Sequence, residues 1–186
     1  MAAISAEAAD QIHDMQAFLW IYGRSAHEIY SLVQLAGNGR LVSIGSHYRG
    51  VVRWVDWYGD GSLWVLNVAL ACCTLEFDAA SSATEGPLEV LDDRAQAAVV
   101  ISGTVTDRLA PAVAAIVDGC ELQTGRRPTV ISFGACASSG GPYWDSYAVT
   151  KGVDQLLAVD AYVPGCPPPP EALSAVLDQV AGRVNA

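Results

Sequence analysis

The chain has 186 residues, 52% hydrophobic and 16% charged, enough for one well-packed domain and unlike a disordered or low-complexity sequence. Acidic residues outnumber basic ones 20 to 10, a formal charge of −10, which argues against a free nucleic-acid binder and against simple docking on anionic lipid. Lys151 is the only lysine, and the mean hydropathy of +0.28 points to a large core or to apolar surface turned toward partners.

Ile12, Met15, Leu19 and Tyr22 recur at helical spacing, so a first helix is expected over about residues 6–22. Ser25-Ala-His-Glu28 reads as a capping box that opens a second helix, stopped by Gly37-Asn-Gly39. The stretch Gly50–Tyr58, GVVRWVDWY, reads as a third helix, either facing the core or laid against a partner or membrane interface, where Trp and Tyr are favoured. Residues 1–60 are therefore expected to form an N-terminal helical arm, a candidate docking segment.

From Ser62 the pattern becomes strand, loop, helix. Leu63–Leu70, Ala97–Ile101, Thr129–Phe133 and Leu156–Val159 with its extension to Val163 are apolar runs of the kind found in buried parallel strands. Helices are expected at Asp107–Val117, with Thr106 or Asp107 as cap, at Tyr147–Gln155 and at Pro170–Val184. Residues 80–93 read as an acidic loop. The predicted fold class is α/β, a flavodoxin-like open parallel sheet with helices on both faces, over residues 61–186.

No apolar run approaches the roughly 20 residues that span a bilayer, so no transmembrane segment is expected. The first residues, MAAISAEAADQIHD, lack the basic and apolar regions of a signal peptide. Five cysteines make an odd count and two are adjacent, a poor basis for a secreted disulfide framework. His13, His27 and His47 all lie in the arm and read as surface or packing residues. There is no Walker A sequence or nucleophilic triad, and GTVTDR and SSGGP are weak phosphate signatures.

Ligands of open α/β sheets bind at the loops that follow the carboxyl ends of strands. Cys72 and Cys73 follow the first such strand in LACCTLE, Cys136 the third in SFGACASSGG, and Cys166 the fourth in YVPGCPPPP. Four thiolates converging on one edge suit a tetrahedral metal or a cubane iron–sulfur cluster. Zinc sites usually draw on C-x2-C knuckles, whereas a cluster offers separate irons to adjacent cysteines; zinc and metal-free thiols remain alternatives. Gly134, Gly140, Gly141 and Gly165 would let the backbone approach a bulky cofactor. Cys120 stands outside the set and is expected to serve packing.

SLWVLNVALACCTLE, VVISGTVTDRLAPAV, VISFGACASSGG and VDQLLAVDAYVPGCPPPPEAL, in that order, make the chain resemble the 20-kDa subunit family of respiratory complex I, the B-type subunits of NADH-quinone oxidoreductases, over about residues 51–180. Small subunits of energy-converting membrane-bound [NiFe] hydrogenases are related, but that branch typically has CxxC where this chain has Cys72-Cys73. The resemblance implies one [4Fe–4S] cluster on Cys72, Cys73, Cys136 and Cys166, and an electron-transfer subunit passing electrons to quinone within a multisubunit, membrane-associated oxidoreductase. It implies as partners a large catalytic or quinone-site subunit, a ferredoxin-like subunit and membrane subunits, with no nucleic acid. It further implies a peripheral position on the cytoplasmic face of the cell membrane.

Alternatives are the proximal-cluster small subunit of a hydrogenase-like complex, and a cluster-free structural subunit. Glu76 matches a carboxylate common to both branches. The chain departs from the complex I pattern in two places. The basic RYDxxRFG and PRQ elements are replaced by FDAASSATEGPLEVLDDRAQAAV, and the basic residues before SLW by Gly59-Asp60-Gly61. Less positive charge near a cluster leads to the expectation of a lower reduction potential.

Overall fold

The computed structural model describes residues 52–81 and 95–183. The two expected N-terminal helices, the three histidines and nearly all of the acidic loop lie outside the described residues.

Among the described residues five strands form one sheet: β1 (Val52–Asp56), β2 (Leu63–Ala69), β3 (Gln96–Ser102), β4 (Thr129–Phe133) and β5 (Ala161–Val163). Their spatial order follows the chain, with β1 antiparallel to β2 and all later pairs parallel. The α-helices among the described residues are α1 (Cys73–Ala80), α2 (Ala110–Thr124), α3 (Ala135–Ser139) and α4 (Pro170–Val180). On one face of the sheet, α2 lays Val113, Val117 and Cys120 against Leu66, Val68, Val99, Ile101 and Val130. On the other, Phe77 of α1 and Leu173 and Leu177 of α4 cover Val65, Ala98, Val100, Ile131 and Phe133. Burial on both faces explains why β2 to β4 read as continuous apolar runs. The expected α/β class, an open sheet clothed on both sides, is the one observed.

Three expectations are corrected. Residues 52–56, placed in the helical arm, are a strand of the sheet, registered from Val52 opposite Val68 to Asp56 opposite Trp64. Trp54 packs into one apolar layer and Val55 into the other, so the alternation that marks a half-exposed strand is missing. The reversal into β2 is made by Gly59 and Gly61, both at positive φ, with the Asp56 carboxylate accepting their N–H groups at 3.1 and 2.9 Å.

Residues 147–155 do not form an α-helix; only Val153–Gln155 makes a single 3-10 turn, after Gly152 at φ +119°. The run Leu156–Val159 is not a strand. Leu156, Leu157 and Val159 pack on the α2 side of the core, and the last strand starts only at Ala161.

Other boundaries shift. The helix expected at Asp107–Val117 starts at Ala110, with the Thr106 hydroxyl accepting the Leu109 N–H at 3.3 Å, and runs seven residues further, to Thr124, before Gly125 in the left-handed conformation. The C-terminal helix stops at Val180. The β1–β2 hairpin is fastened to α4 by Tyr58, whose hydroxyl donates to Asp178 at 2.6 Å under the Arg183 guanidinium, 3.8 Å from the ring centre.

A cysteine-lined edge as the candidate functional site

The parallel strands all end at the same margin of the sheet, and the three cysteine-bearing segments leave from there. After β2 the chain turns through Leu70 and Ala71, whose N–H groups both donate to the Ser102 carbonyl at the end of β3, at 3.0 and 3.1 Å. Gly103 permits this approach: a Cβ there would sit 2.5 Å from the Ala71 nitrogen. Cys72 then caps α1, exposed, and Cys73 opens the helix, buried. After β4, Cys136 lies buried in the short helix α3. The Ala135 N–H donates to the Gly165 carbonyl at 2.7 Å, which ties this segment to the exposed Cys166 one residue later.

Glycines set how closely the segments meet. At Gly134, φ +97°, a Cβ would fall 2.5 Å from the Cys73 sulfur; at Gly141, φ +53°, it would fall 2.9 Å from the Cys136 sulfur. The thiols are close enough to act on one another. Burial, first of all, pushes the Cys73 thiol up to about 12, reinforced by the charge and hydrogen bond of Cys72 and then by the charges of Cys136 and Cys166. Cys72, Cys136 and Cys166 thus all act on Cys73, while Cys120 is wholly buried in the layer beneath α2. No three His, Cys, Asp or Glu side chains among the described residues are grouped tightly enough to hold a single metal ion.

Residues 64–180 match the family described as NADH ubiquinone oxidoreductase, 20 Kd subunit. The chain belongs to this family. The first-numbered B-type subunit of the NADH-quinone oxidoreductase of Salinispora tropica is 51% identical over 136 residues, 70% of this chain and 69% of that one. The second-numbered B-type subunit of the NADH-quinone oxidoreductase of Streptomyces griseus is 52% identical over 125 residues, 64% of this chain but only 52% of its own length. Among solved structures, a chain of the membrane-bound sulfane sulfur reductase, an archaeal respiratory membrane complex, is 26% identical with a TM-score of 0.51. That match covers 68% of this chain and 72% of the other. As a member of the 20-kDa subunit family, the chain is a subunit of a complex I-type oxidoreductase.

Two departures from the family pattern carry the expectation of a lower potential. The replacement of the basic segment runs from Phe77 to Val99: its start ends α1, its close enters β3, and residues 82–94 lie outside the described residues. Gly59-Asp60-Gly61 lies at the amino end of β2, whose seven residues separate it from the cysteine edge by roughly 20 Å. A charge change at that distance is largely screened, so this turn contributes little to the potential. Asp60 is instead engaged locally, its carboxyl held down at about 2 by hydrogen bonds from Ser62 and Arg183.

Sequence reasoning missed the aromatic surface beside the site. After α3 the loop carries Tyr143, Trp144 and Tyr147, all exposed, Tyr147 by 97%. The loop is nonetheless fixed: Asp107 N–H donates to Ala148 at 3.0 Å, Thr150 N–H to Val105 at 2.9 Å, and Lys151 donates to the Trp144 carbonyl while lying 5.8 Å from its ring centre. Leu75 on α1 is 71% exposed as well. The signal was present in PYWDSY, three aromatics within five positions directly after the Cys136 motif.

Proposed function

We propose that Cys72, Cys73, Cys136 and Cys166 hold one [4Fe–4S] cluster, and that the chain passes electrons between the redox chain of a complex I-type oxidoreductase and quinone. The observation that carries this reading is the meeting of four thiols from three segments at one sheet edge, spaced by glycines whose Cβ atoms would strike the sulfurs. The donor set fits. Thiolates are the ordinary ligands of such clusters, and a vicinal pair can serve two different irons.

When bound, the cluster supplies a one-electron couple. The chain's part is to hold it in place. Buried Cys73 and Cys136 together with exposed Cys72 and Cys166 would hold it, and the exposed pair would be open to a partner. The rigid loop bearing Tyr143, Trp144 and Tyr147 is suited to that contact, because exposed aromatics on a fixed scaffold bury large area with little loss of freedom. We assign this margin to the large catalytic or quinone-site subunit. A ferredoxin-like subunit and membrane subunits complete the complex, which would sit peripherally on the cytoplasmic face. No helix among the described residues is long and apolar enough to cross a membrane.

A second reading, a hydrogenase-like complex with a different electron acceptor, draws on the likeness to the archaeal sulfane sulfur reductase chain. Low-temperature EPR of the dithionite-reduced native complex, with and without a quinone-site inhibitor, separates the two. A [4Fe–4S] signal altered by the inhibitor is expected. An indifferent signal would move the assignment to the second reading, and a complex free of iron would end both.

A further inference from the structure

Hydroxyl side chains in the described helices share a habit. Thr124 donates to the Cys120 carbonyl at 2.9 Å, Ser138 to Gly134 at 2.9 Å, Ser139 to Ala135 at 3.2 Å and Ser174 to Pro170 at 3.5 Å, each reaching back four residues. Thr74 on the first turn of α1 departs from it. Its Oγ1 is buried and has no hydrogen-bond partner among the described residues. The residue four positions earlier, Leu70, lies before the helix, on the connection hung from Ser102. A buried hydroxyl without a partner is uncommon in folded proteins, because it forfeits its bonds to water and gains nothing in return.

Two observations bear on the missing acceptor. Thr74 directly follows Cys73, whose thiol is buried and feels the other three cysteines. The other buried donor without a partner, Asn67 Nδ2, belongs to a side chain inside β2 whose Oδ1 is already taken by Ser102. Thr74 is the donor that the chain places next to the cysteine pair.

We propose that the Thr74 hydroxyl donates a hydrogen bond to a sulfide of the cluster and thereby raises its reduction potential. The inference rests on the ligand set proposed above. A donor aimed at sulfur stabilises the reduced cluster, which carries one more negative charge, more than the oxidised one. Thr74 would thus offset part of the positive charge that this chain lacks relative to its family pattern.

The test uses Thr74→Val, which keeps the shape and removes the donor, and Thr74→Ser, which keeps the donor, each in the intact complex. Iron and acid-labile sulfide are measured first, then the potential by EPR-monitored redox titration. With full cluster content, Thr74→Val is expected to shift the reduced-to-oxidised ratio about tenfold toward oxidised at a fixed applied potential. That corresponds to about 59 mV downward for a one-electron couple. Thr74→Ser is expected to stay near the parent.

Loss of iron in Thr74→Val but not in Thr74→Ser would also support the contact, since the serine variant keeps the hydroxyl while giving up the methyl. An unshifted potential in Thr74→Val with its cluster intact would overturn the inference, as would loss of iron in both variants, which would mark a steric role. An iron-free parent complex would instead overturn the proposed function on which the inference depends.

Discussion

Gly134→Ala probes how tightly the cysteine segments are fitted. Gly134 has φ +97° and ψ 162°, a region open essentially to glycine alone, so alanine costs about 1–3 kcal/mol in backbone strain. Its Cβ would also lie 2.5 Å from the Cys73 sulfur, where ordinary contact begins at 3.4 Å. Cys73 is 2% exposed and packed with Phe77, so the sulfur cannot retreat freely, and overpacking of this kind costs roughly another 1–3 kcal/mol. Gly125→Ala is the control. At φ +67° with nothing within 4 Å of the new methyl, it carries only the backbone penalty, about 1–2 kcal/mol. Thermal unfolding of the full chain, followed by tryptophan fluorescence, should place Gly134→Ala below Gly125→Ala by about 2–4 °C for each kcal/mol of difference. Iron bound per chain should fall in the first variant alone. Equal midpoints and equal iron content would show that the Gly134–Cys73 approach imposes no constraint, and the packing argument for the site would fail.

Cys136→Ala should abolish the cluster's EPR signal and most of the bound iron, whereas Cys120→Ala should retain both and lose only about 1 kcal/mol of stability from the missing buried sulfur; a full signal in Cys136→Ala would refute the four-ligand assignment. Ser102→Ala removes the hydroxyl that donates to Asn67 at 2.8 Å, leaving a fully buried amide with neither end bonded. Denaturant titration should read a loss of about 1–3 kcal/mol, and a neutral result would mean that the amide finds another partner. Burial pushes the Cys120 thiol from 9.0 up to about 12, so its contribution to stability is complete below pH 9 and lost as the pH rises through 12. Cys120→Ala should therefore unfold less steeply than the parent between those pH values, and parallel alkaline curves would contradict the assigned burial.

The candidate site was legible in the sequence because its cysteines sit in short strings. A vicinal cysteine pair, Gly-Ala-Cys and Pro-Gly-Cys each follow an apolar run, and strand ends in an α/β sheet face the same margin. Elsewhere the local pattern misled. In β1, Trp54 and Val55 are both buried because each face of the sheet is covered, which erases the period-two signal. Residues 147–155 carry helix-compatible side chains, but buried Thr150 and left-handed Gly152 fix a loop there through contacts distant in sequence. The run Leu156–Val159 is apolar because it packs onto the sheet, and apolarity alone does not distinguish covering a sheet from extending it. Thr74 gave no signal at all. A threonine in the first turn of a helix is ordinary, and only the absence of its usual acceptor sets it apart.

The order of the strands bears on how such a protein matures. Each strand pairs with the one that precedes it in the chain, so the sheet can grow from one side as the polypeptide leaves the ribosome. Cys166, however, follows β5, the last strand to be added, and Gly165 beside it receives the Ala135 N–H only when that strand is seated. The four thiols therefore come together only once the sheet is complete. Cofactor insertion would act on a finished scaffold, and a chain truncated before β5 would offer the delivery machinery three sulfurs and an open flank.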